Sequence, residues 1–407
     1  MPAAPTPPAP AEALAQAAAR HGTPAYVYDL TRVRARIRQL ARALPPGVEV
    51  RYSVKANPAP AVCAVIASAG LGAEVSSAGE LTAALDAGFP PARIMVSGPY
   101  KDPGLRQLIS ELPELLISVD SVSELAQLAT QQRATRRVLL RLRPDYPPAG
   151  DMCEGAQPRF GIPIEHLGRC QAYLGRSADC VGFHVYGGSQ ILDKAQAARQ
   201  LRDAVDLTMR AAKLLDADPR ILNVGGGFGV PYTDDDDLDL APAAAALRAI
   251  GARTPNSQLV LELGRYLVAD AGWYLTRVVH HQTFGDGPAV VVDGGIHHRP
   301  DLCGLDIARS ARPPLLLGPA RGGATPTAVL GCLCLPWDVL AYAADLPALS
   351  IGDVLAFPTA GAYGLTAAPT RFLSHRLPAE LVLDDGILTL LPAPQWPAQR
   401  SQPAGVS

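Results

Sequence analysis

The 407-residue sequence lacks the features that mark several large protein classes. It has no basic excess: 36 Lys and Arg stand against 38 Asp and Glu, giving a formal charge of −2 and a pI near 6.4. No positive face is therefore expected for nucleic acid or an anionic membrane. No apolar run reaches the about 18 residues that a transmembrane helix needs. The seven cysteines (Cys63, Cys153, Cys170, Cys180, Cys303, Cys332 and Cys334) are odd in number and show no C-x-x-C pairs. That spacing suggests neither a disulfide framework nor a zinc site, and a reducing cytoplasm fits best. Residues 1–20 are rich in Ala and Pro without a basic start or a strong apolar stretch, so no signal peptide is expected. What remains is a small-molecule enzyme, long enough for two domains and a large core.

From about residue 31 to 264 the chain alternates short β-rich runs with Ala- and Leu-rich stretches of helical period. Eight strands are predicted at 49–55, 73–77, 94–98, 116–120, 138–143, 180–186, 221–225 and 258–263. The spacers are long enough for crossover helices. Eight such units predict a parallel (β/α)8 TIM barrel, with a doubly wound open sheet as the competing arrangement because alternation does not reveal closure. After Arg265 the texture changes to closely spaced strands at 289–292, 314–317, 327–332, 354–357, 380–383 and 387–391, which predicts a C-terminal all-β domain. The expected division is an N-terminal segment 1–30 whose strand 25–28 joins the β domain, a barrel over 31–264, the β domain over 265–395 and a flexible tail over 396–407. The acidic run 234–237 reads as a solvated loop.

Barrel enzymes place their chemistry at the C-terminal strand ends, and the unusual residues fall there: Lys55, Glu74, Asp120, Arg141, His184, a glycine run and Glu262. A lysine at a partly buried mouth can lose its proton and act as a nucleophilic amine, or it is a solvated charge. The run Gly225-Gly226-Gly227-Phe228-Gly229 lets backbone N–H groups approach an anion, or makes a plain tight turn. It lacks the lysine and hydroxyl of a P-loop, which argues against a nucleoside triphosphate. Glu262 either pairs with Arg265 or faces a cofactor nitrogen. His184 points in or out of its strand with equal expectation. Cys334 taken alone reads as a buried structural thiol, and Trp337 as packing. The pairs His280-His281 and His297-His298 have no carboxylate or cysteine at ligand spacing, so no metal is expected.

Several stretches together carry a resemblance: Tyr52-Ser53-Val54-Lys55-Ala56-Asn57, Gly72-Ala73-Glu74-Val75-Ser76-Ser77-Ala78-Gly79-Glu80-Leu81, residues 184–190, the glycine run, Glu262-Leu263-Gly264-Arg265 and Gly361-Ala362-Tyr363-Gly364. In this order, over about residues 23–383, the chain resembles the fold-type III pyridoxal phosphate decarboxylases, the family of diaminopimelate, ornithine and arginine decarboxylases. The resemblance implies an alanine racemase-like barrel with a decarboxylase β domain, pyridoxal 5'-phosphate as cofactor, and a homodimer with active sites at the subunit interface. It implies that Lys55 binds the cofactor covalently through its amine, Glu262 faces the pyridine nitrogen and His184 stacks on the ring. Ser189, Gly226, Gly227, Gly264, Arg265 and Tyr363 would bind the cofactor around its phosphate, with Glu74 and Arg141 in support. Cys334, contributed by the partner subunit, would return a proton to Cα after carbon dioxide leaves. Arg299, Cys303, Leu335 and Asp338 would meet the substrate.

Two departures bear on the substrate. Diaminopimelate decarboxylases carry an acid after that cysteine, where this chain has Leu335, and a tyrosine where Cys303 stands. Losing an acid and a hydroxyl together weakens recognition of free diaminopimelate. The stretches 332–338 and 371–375 look more like the branch that serves specialised metabolism, including siderophore precursors, on carrier-bound or conjugated amino acids. The expected activity is α-decarboxylation of an L-amino acid or amino-acid conjugate, with a carrier protein as a candidate partner. The alternatives are a diaminopimelate decarboxylase of lysine biosynthesis, a pyridoxal phosphate racemase, which Glu262 disfavours, and a non-catalytic regulatory homologue.

Overall fold

The computed structural model describes residues 10–131, 135–150, 159–175, 178–300 and 311–392. A helix, Ala11–His21, leads into strand β1 (Ala25–Asp29). Asp29 then caps the helix Leu30–Ala43 by accepting from the Thr31 and Arg32 N–H groups, which satisfies donors that a helix start leaves open.

Eight strands follow in alternation with helices: β2 (Glu49–Ser53), β3 (Gly72–Val75), β4 (Ile94–Val96), β5 (Leu116–Val119), β6 (Arg136–Leu142), β7 (Ala178–Val185), β8 (Ile221–Gly226) and β9 (Gln258–Leu263). Neighbours pair in parallel and β9 returns to β2, so the sheet closes into a barrel and the open-sheet alternative falls. The strands are short aliphatic runs because a parallel sheet wrapped by helices is buried on both faces. Ser77, Asp102 and Asp193 cap the helices that return the chain, each accepting a backbone N–H. Met95, Leu116, Leu139, Val181, Ile221 and Val260, one from each of β4 to β9, form a cluster of their own. They fill the barrel as a packed interior, which leaves the chemistry to its mouth.

The second sheet comprises β10 (Gly272–Phe284), β11 (Gly287–Val292), β12 (Leu315–Leu316), β13 (Thr325–Leu330), β14 (Val339–Leu346), β15 (Val354–Phe357), β16 (Ala379–Asp384) and β17 (Ile387–Leu390). Its order is β14-β13-β11-β10-β1-β16-β17, with β15 pairing β10 and β12. Strand β1 lies inside it, antiparallel to β10 and parallel to β16. Tyr26 of β1 packs 5.2 Å from the Tyr274 ring, and Tyr274 lies 6.3 Å from Phe357.

Three elements differ from the sequence expectation. The helix Ala11–His21 was not anticipated, although Leu14, Ala17 and Ala18 give it one buried face. Strand β10 was missed because its second half, through His280 and His281, is polar and exposed. Strand β14 was missed because its alanines favour a helical reading, and only pairing with β13 selects the strand. No described helix is long and apolar enough to cross a membrane.

Candidate active site

The barrel strands end one or two residues sooner than expected at β2, β3, β4, β5, β6 and β7, and the freed residues turn over the mouth. Lys55 sits in the 3-10 turn Val54–Ala56 immediately after β2. The mouth encloses a cavity of about 420 Å³, within the range of small-molecule sites. Lys55, Glu74, Arg141, His184, Ser189, Gly227, Glu262, Gly264, Arg265 and Tyr363 line it together.

Lys55 Nζ lies 2.9 Å from Glu74 Oε2 and 3.2 Å from Oε1. Glu74 is buried within β3, and its carboxylate also accepts from the Ser97 hydroxyl and, at 3.2 Å, from that of Ser76. Although protein surrounds it, the Lys55 side chain keeps 47 % of its surface accessible, so water in the cavity reaches it. Burial pulls the Lys55 pKa down, but Glu74, followed by Tyr363 and Glu262, raises it further, for a net shift above the ordinary lysine value. The amine is thus stored as an ion pair and becomes nucleophilic only once that proton is given up. The Tyr363 N–H donates to the Ala56 carbonyl at 2.7 Å and holds this tyrosine against the lysine turn.

Across the mouth, Glu262 of β9 is nearly buried and accepts from Asn223 Nδ2 at 2.6 Å. His184 Nε2 lies 3.3 Å from the same carboxylate, and its Nδ1 is 2.7 Å from the Ser118 hydroxyl. His184 therefore points inward. Burial raises the Glu262 pKa, but His184, Lys55 and Asn223 lower it by more, so the carboxyl is held ionised below its ordinary range. Arg141 Nη1 meets Asp120 at 3.2 Å, and its guanidinium lies 4.6 Å from the Phe160 ring.

The glycine run that closes β8 reaches the mouth through Gly227, while Gly226 packs behind it and does not line the cavity. A Cβ on Gly226 would lie 2.1 Å from the Glu262 carbonyl oxygen, and one on Gly227, whose φ is +72°, would lie 2.2 Å from that of Gly188. Only glycine fits at either position. The Arg265 guanidinium stands 4.8 Å from the Tyr363 ring and donates to the Tyr232 hydroxyl. The Arg265 cation, the Ser189 and Tyr363 hydroxyls, the ionised Glu262 carboxylate, the His184 imidazole and the Lys55 amine line one cavity and together fit pyridoxal phosphate.

The residues expected at the substrate lie elsewhere in the same chain. Cys334, Leu335, Asp338 and Arg299 do not line the cavity. Cys334 is exposed, which overturns its reading from sequence alone as a buried thiol. Asp338 is buried, and its carboxylate accepts from the Ile296 and Leu333 N–H groups at 2.7 Å each, so it ties two loops together. Arg299 is buried, and Leu335 half-buried. Cys303 lies outside the described residues. Sequence reasoning missed Ser97, Ser118 and Asn223, which partner Glu74, His184 and Glu262. Their signal was a single polar residue within or directly after an otherwise aliphatic strand.

Residues 30–269 match the family described as pyridoxal-dependent decarboxylase, pyridoxal binding domain. The chain is 31% identical over 391 residues to the L-glutamyl-[BtrI acyl-carrier protein] decarboxylase of Niallia circulans, with 91% of each chain covered. It is 30% identical over 401 residues to the diaminopimelate decarboxylase of Zymomonas mobilis, covering 91% of this chain and 90% of that one. Its fold is similar to the crystal structure of diaminopimelate decarboxylase from Helicobacter pylori complexed with L-lysine, at a TM-score of 0.82 and 26% identity over 92% of this chain and 95% of that one.

Proposed function

The chain belongs to the pyridoxal-dependent decarboxylase family and is a pyridoxal phosphate carboxy-lyase of an amino-acid substrate, and we propose that this substrate is an L-amino acid whose distal end is joined to another group. A carrier-protein thioester is the leading form. One observation carries the reading. The stretch Cys334-Leu335-Pro336-Trp337 offers no charge, and the next acid, Asp338, spends its carboxylate on two backbone amides. A free distal ammonium and carboxylate, as in diaminopimelate, would meet no partner on this loop. The similarity to a decarboxylase acting on a carrier-bound glutamyl group supports the same class.

The residues that would hold the cofactor are Lys55 at its aldehyde, His184 against its ring, Glu262 at its ring nitrogen, and Ser189, Gly226, Gly227, Gly264, Arg265 and Tyr363 around its phosphate. Bound pyridoxal phosphate supplies an electron sink for the pair left on Cα when carbon dioxide departs. The protein's own part is to manage protons and charge. Glu74 pairs with the Lys55 ammonium and fixes its place in the mouth, and the amine becomes a nucleophile once its proton passes to another base. Glu262, kept ionised by Asn223 and His184, is suited to hold a proton on a basic nitrogen opposite it. Ser118 fixes the His184 ring by its Nδ1 contact.

Cys334 is exposed and stands outside its own chain's cavity, so we assign it to the site of a second copy, where its thiol returns the proton to Cα. A homodimer follows, and the exposed Trp337, Phe372 and Leu373 give it apolar surface to cover. We place the enzyme in the cytoplasm, where the five described cysteines, all free, stay reduced.

The test is carbon dioxide release by the cofactor-loaded protein from diaminopimelate, lysine, ornithine, arginine, glutamate, citrate-conjugated diaminopropionate and a glutamyl carrier-protein thioester, with Lys55→Ala as control. Turnover of a conjugate with silence on the free amino acids supports the proposal. Rapid Lys55-dependent turnover of diaminopimelate would replace it with lysine biosynthesis, the reading that the similarity to diaminopimelate decarboxylases favours. Loss of Cα chirality without carbon dioxide would indicate a racemase, and refusal of cofactor a regulatory homologue.

A further inference from the structure

His297-His298 found no neighbouring ligand in the sequence, but the fold supplies two. His297 sits on the loop after β11, Cys332 on the loop after β13, and His375 just beyond the 3-10 turn Phe372–Ser374. Each offers one ligand atom, and the three atoms lie within 4.8 Å of one another. A tetrahedral zinc ion, with bonds of about 2.0–2.1 Å to nitrogen and about 2.3 Å to sulfur, sets its ligand atoms roughly 3.3–3.7 Å apart. The three groups are therefore within about 1.5 Å of ligating distance before any ion draws them in.

A second observation points the same way. His297 is 1 % exposed, yet neither of its ring nitrogens has a hydrogen-bond partner among the described residues. Buried polar atoms are nearly always satisfied, and an imidazole left with none is costly unless something binds it. The adjacent His298 differs, since its Nδ1 meets the Tyr274 hydroxyl at 2.9 Å. The position of Cys332 is set by its N–H bond to the Gly294 carbonyl at 2.9 Å and by Asp338, which fastens its loop to Ile296. His375 is partly exposed and leaves a path for the ion.

We propose that His297, Cys332 and His375 form a site for one borderline-soft divalent cation of the zinc class, with three protein ligands and a fourth position open to solvent. Two imidazoles and a thiolate without a carboxylate select against calcium and magnesium. On binding, the Cys332 S–H bond breaks, the sulfur keeps the electron pair for the metal, and the proton passes to water. The ion would clasp the loop that carries Cys334 to the segment 371–375.

The test is metal uptake by the full chain, with and without pyridoxal phosphate, using cobalt(II) followed by zinc. Expected are about one ion per chain, tetrahedral visible bands and a thiolate-to-cobalt charge-transfer band that zinc abolishes. Cys332→Ser should remove the charge-transfer band. His375→Ala, a change at a partly exposed position, should weaken cobalt binding by more than about 100-fold, beyond the loss typical of an outer partner. Cys180→Ser should leave the spectrum unchanged. No uptake, or a spectrum that is the same in wild type, Cys332→Ser and His375→Ala, overturns the site.

Discussion

The barrel mouth and the loops of the β sheet both bury histidine, but they treat it differently. At the mouth, His184 has Ser118 on one ring nitrogen and Glu262 beside the other, and Lys55, Arg141 and Glu262 each face an opposing group. In the sheet, one carboxylate, Asp338, organises two loops, and the ring nitrogens of His297 among them have no hydrogen-bond partner among the described residues. The mouth is a network whose members hold one another's charge states, ready for a cofactor that will exchange some of these contacts for its own. The loops are held by bonds to backbone amides, which leaves the side chains free for the roles proposed above: Cys334 for a second subunit's site, His297 and Cys332 for an ion.

The contrast breaks most visibly at Lys55. Lys55→Ala should reduce carbon dioxide release to background and, by leaving the buried Glu74 carboxylate without its cation, lower stability without changing the fold; circular dichroism and an activity assay on the same sample check both halves. Glu262→Gln keeps the Asn223 contact but removes the charge, and turnover should fall by about 10²–10³-fold, the usual loss when one preorganised electrostatic group goes. Asp338→Ala should act on the other region through stability: it strands the buried Ile296 and Leu333 amides and should cost about 1–3 kcal/mol in urea unfolding. An equal loss of activity without any loss of stability would show that Asp338 works at the substrate instead.

Acid sharpens the comparison further. Glu262 titrates lower in the folded protein than its ordinary 4.5, so its contribution to stability is complete above that pH and is lost progressively as pH falls below it. The Glu262→Gln protein should therefore show a shallower decline in melting temperature below about pH 4.5. The smallest effect is expected at Leu335→Glu, which returns an acid to the substrate loop. Relative turnover of diaminopimelate should rise only a few-fold, since one polar group cannot rebuild a site that also lacks a tyrosine.

Much of the mouth was legible because barrel strands are local: each is an aliphatic run, and a charged residue at its end has few reasons to be there except the mouth. Lys55, Glu74 and Glu262 could be read in that way. Their partners were not, since Ser118 meets His184, and Asn223 meets Glu262, only when separate strands come side by side. The sheet was harder. Nothing in the alanines of β14 favours a strand until β13 is beside it, and Asp338 binds backbone amides, which leave no mark in a sequence. The cluster of His297, Cys332 and His375 draws on three separate loops, so no spacing rule could have found it.

The place of β1 has a consequence for how the molecule is made. Ala25 pairs with Leu275 on one side and Ala379 on the other, so this strand leaves the ribosome before the barrel strands and waits for partners about 250 and 354 residues later. During that interval its two edges are open, while the barrel strands, which pair with near neighbours in order, can begin to assemble. Synthesis thus favours a barrel first, with the sheet closing around β1 only after β10 and β16 have been made.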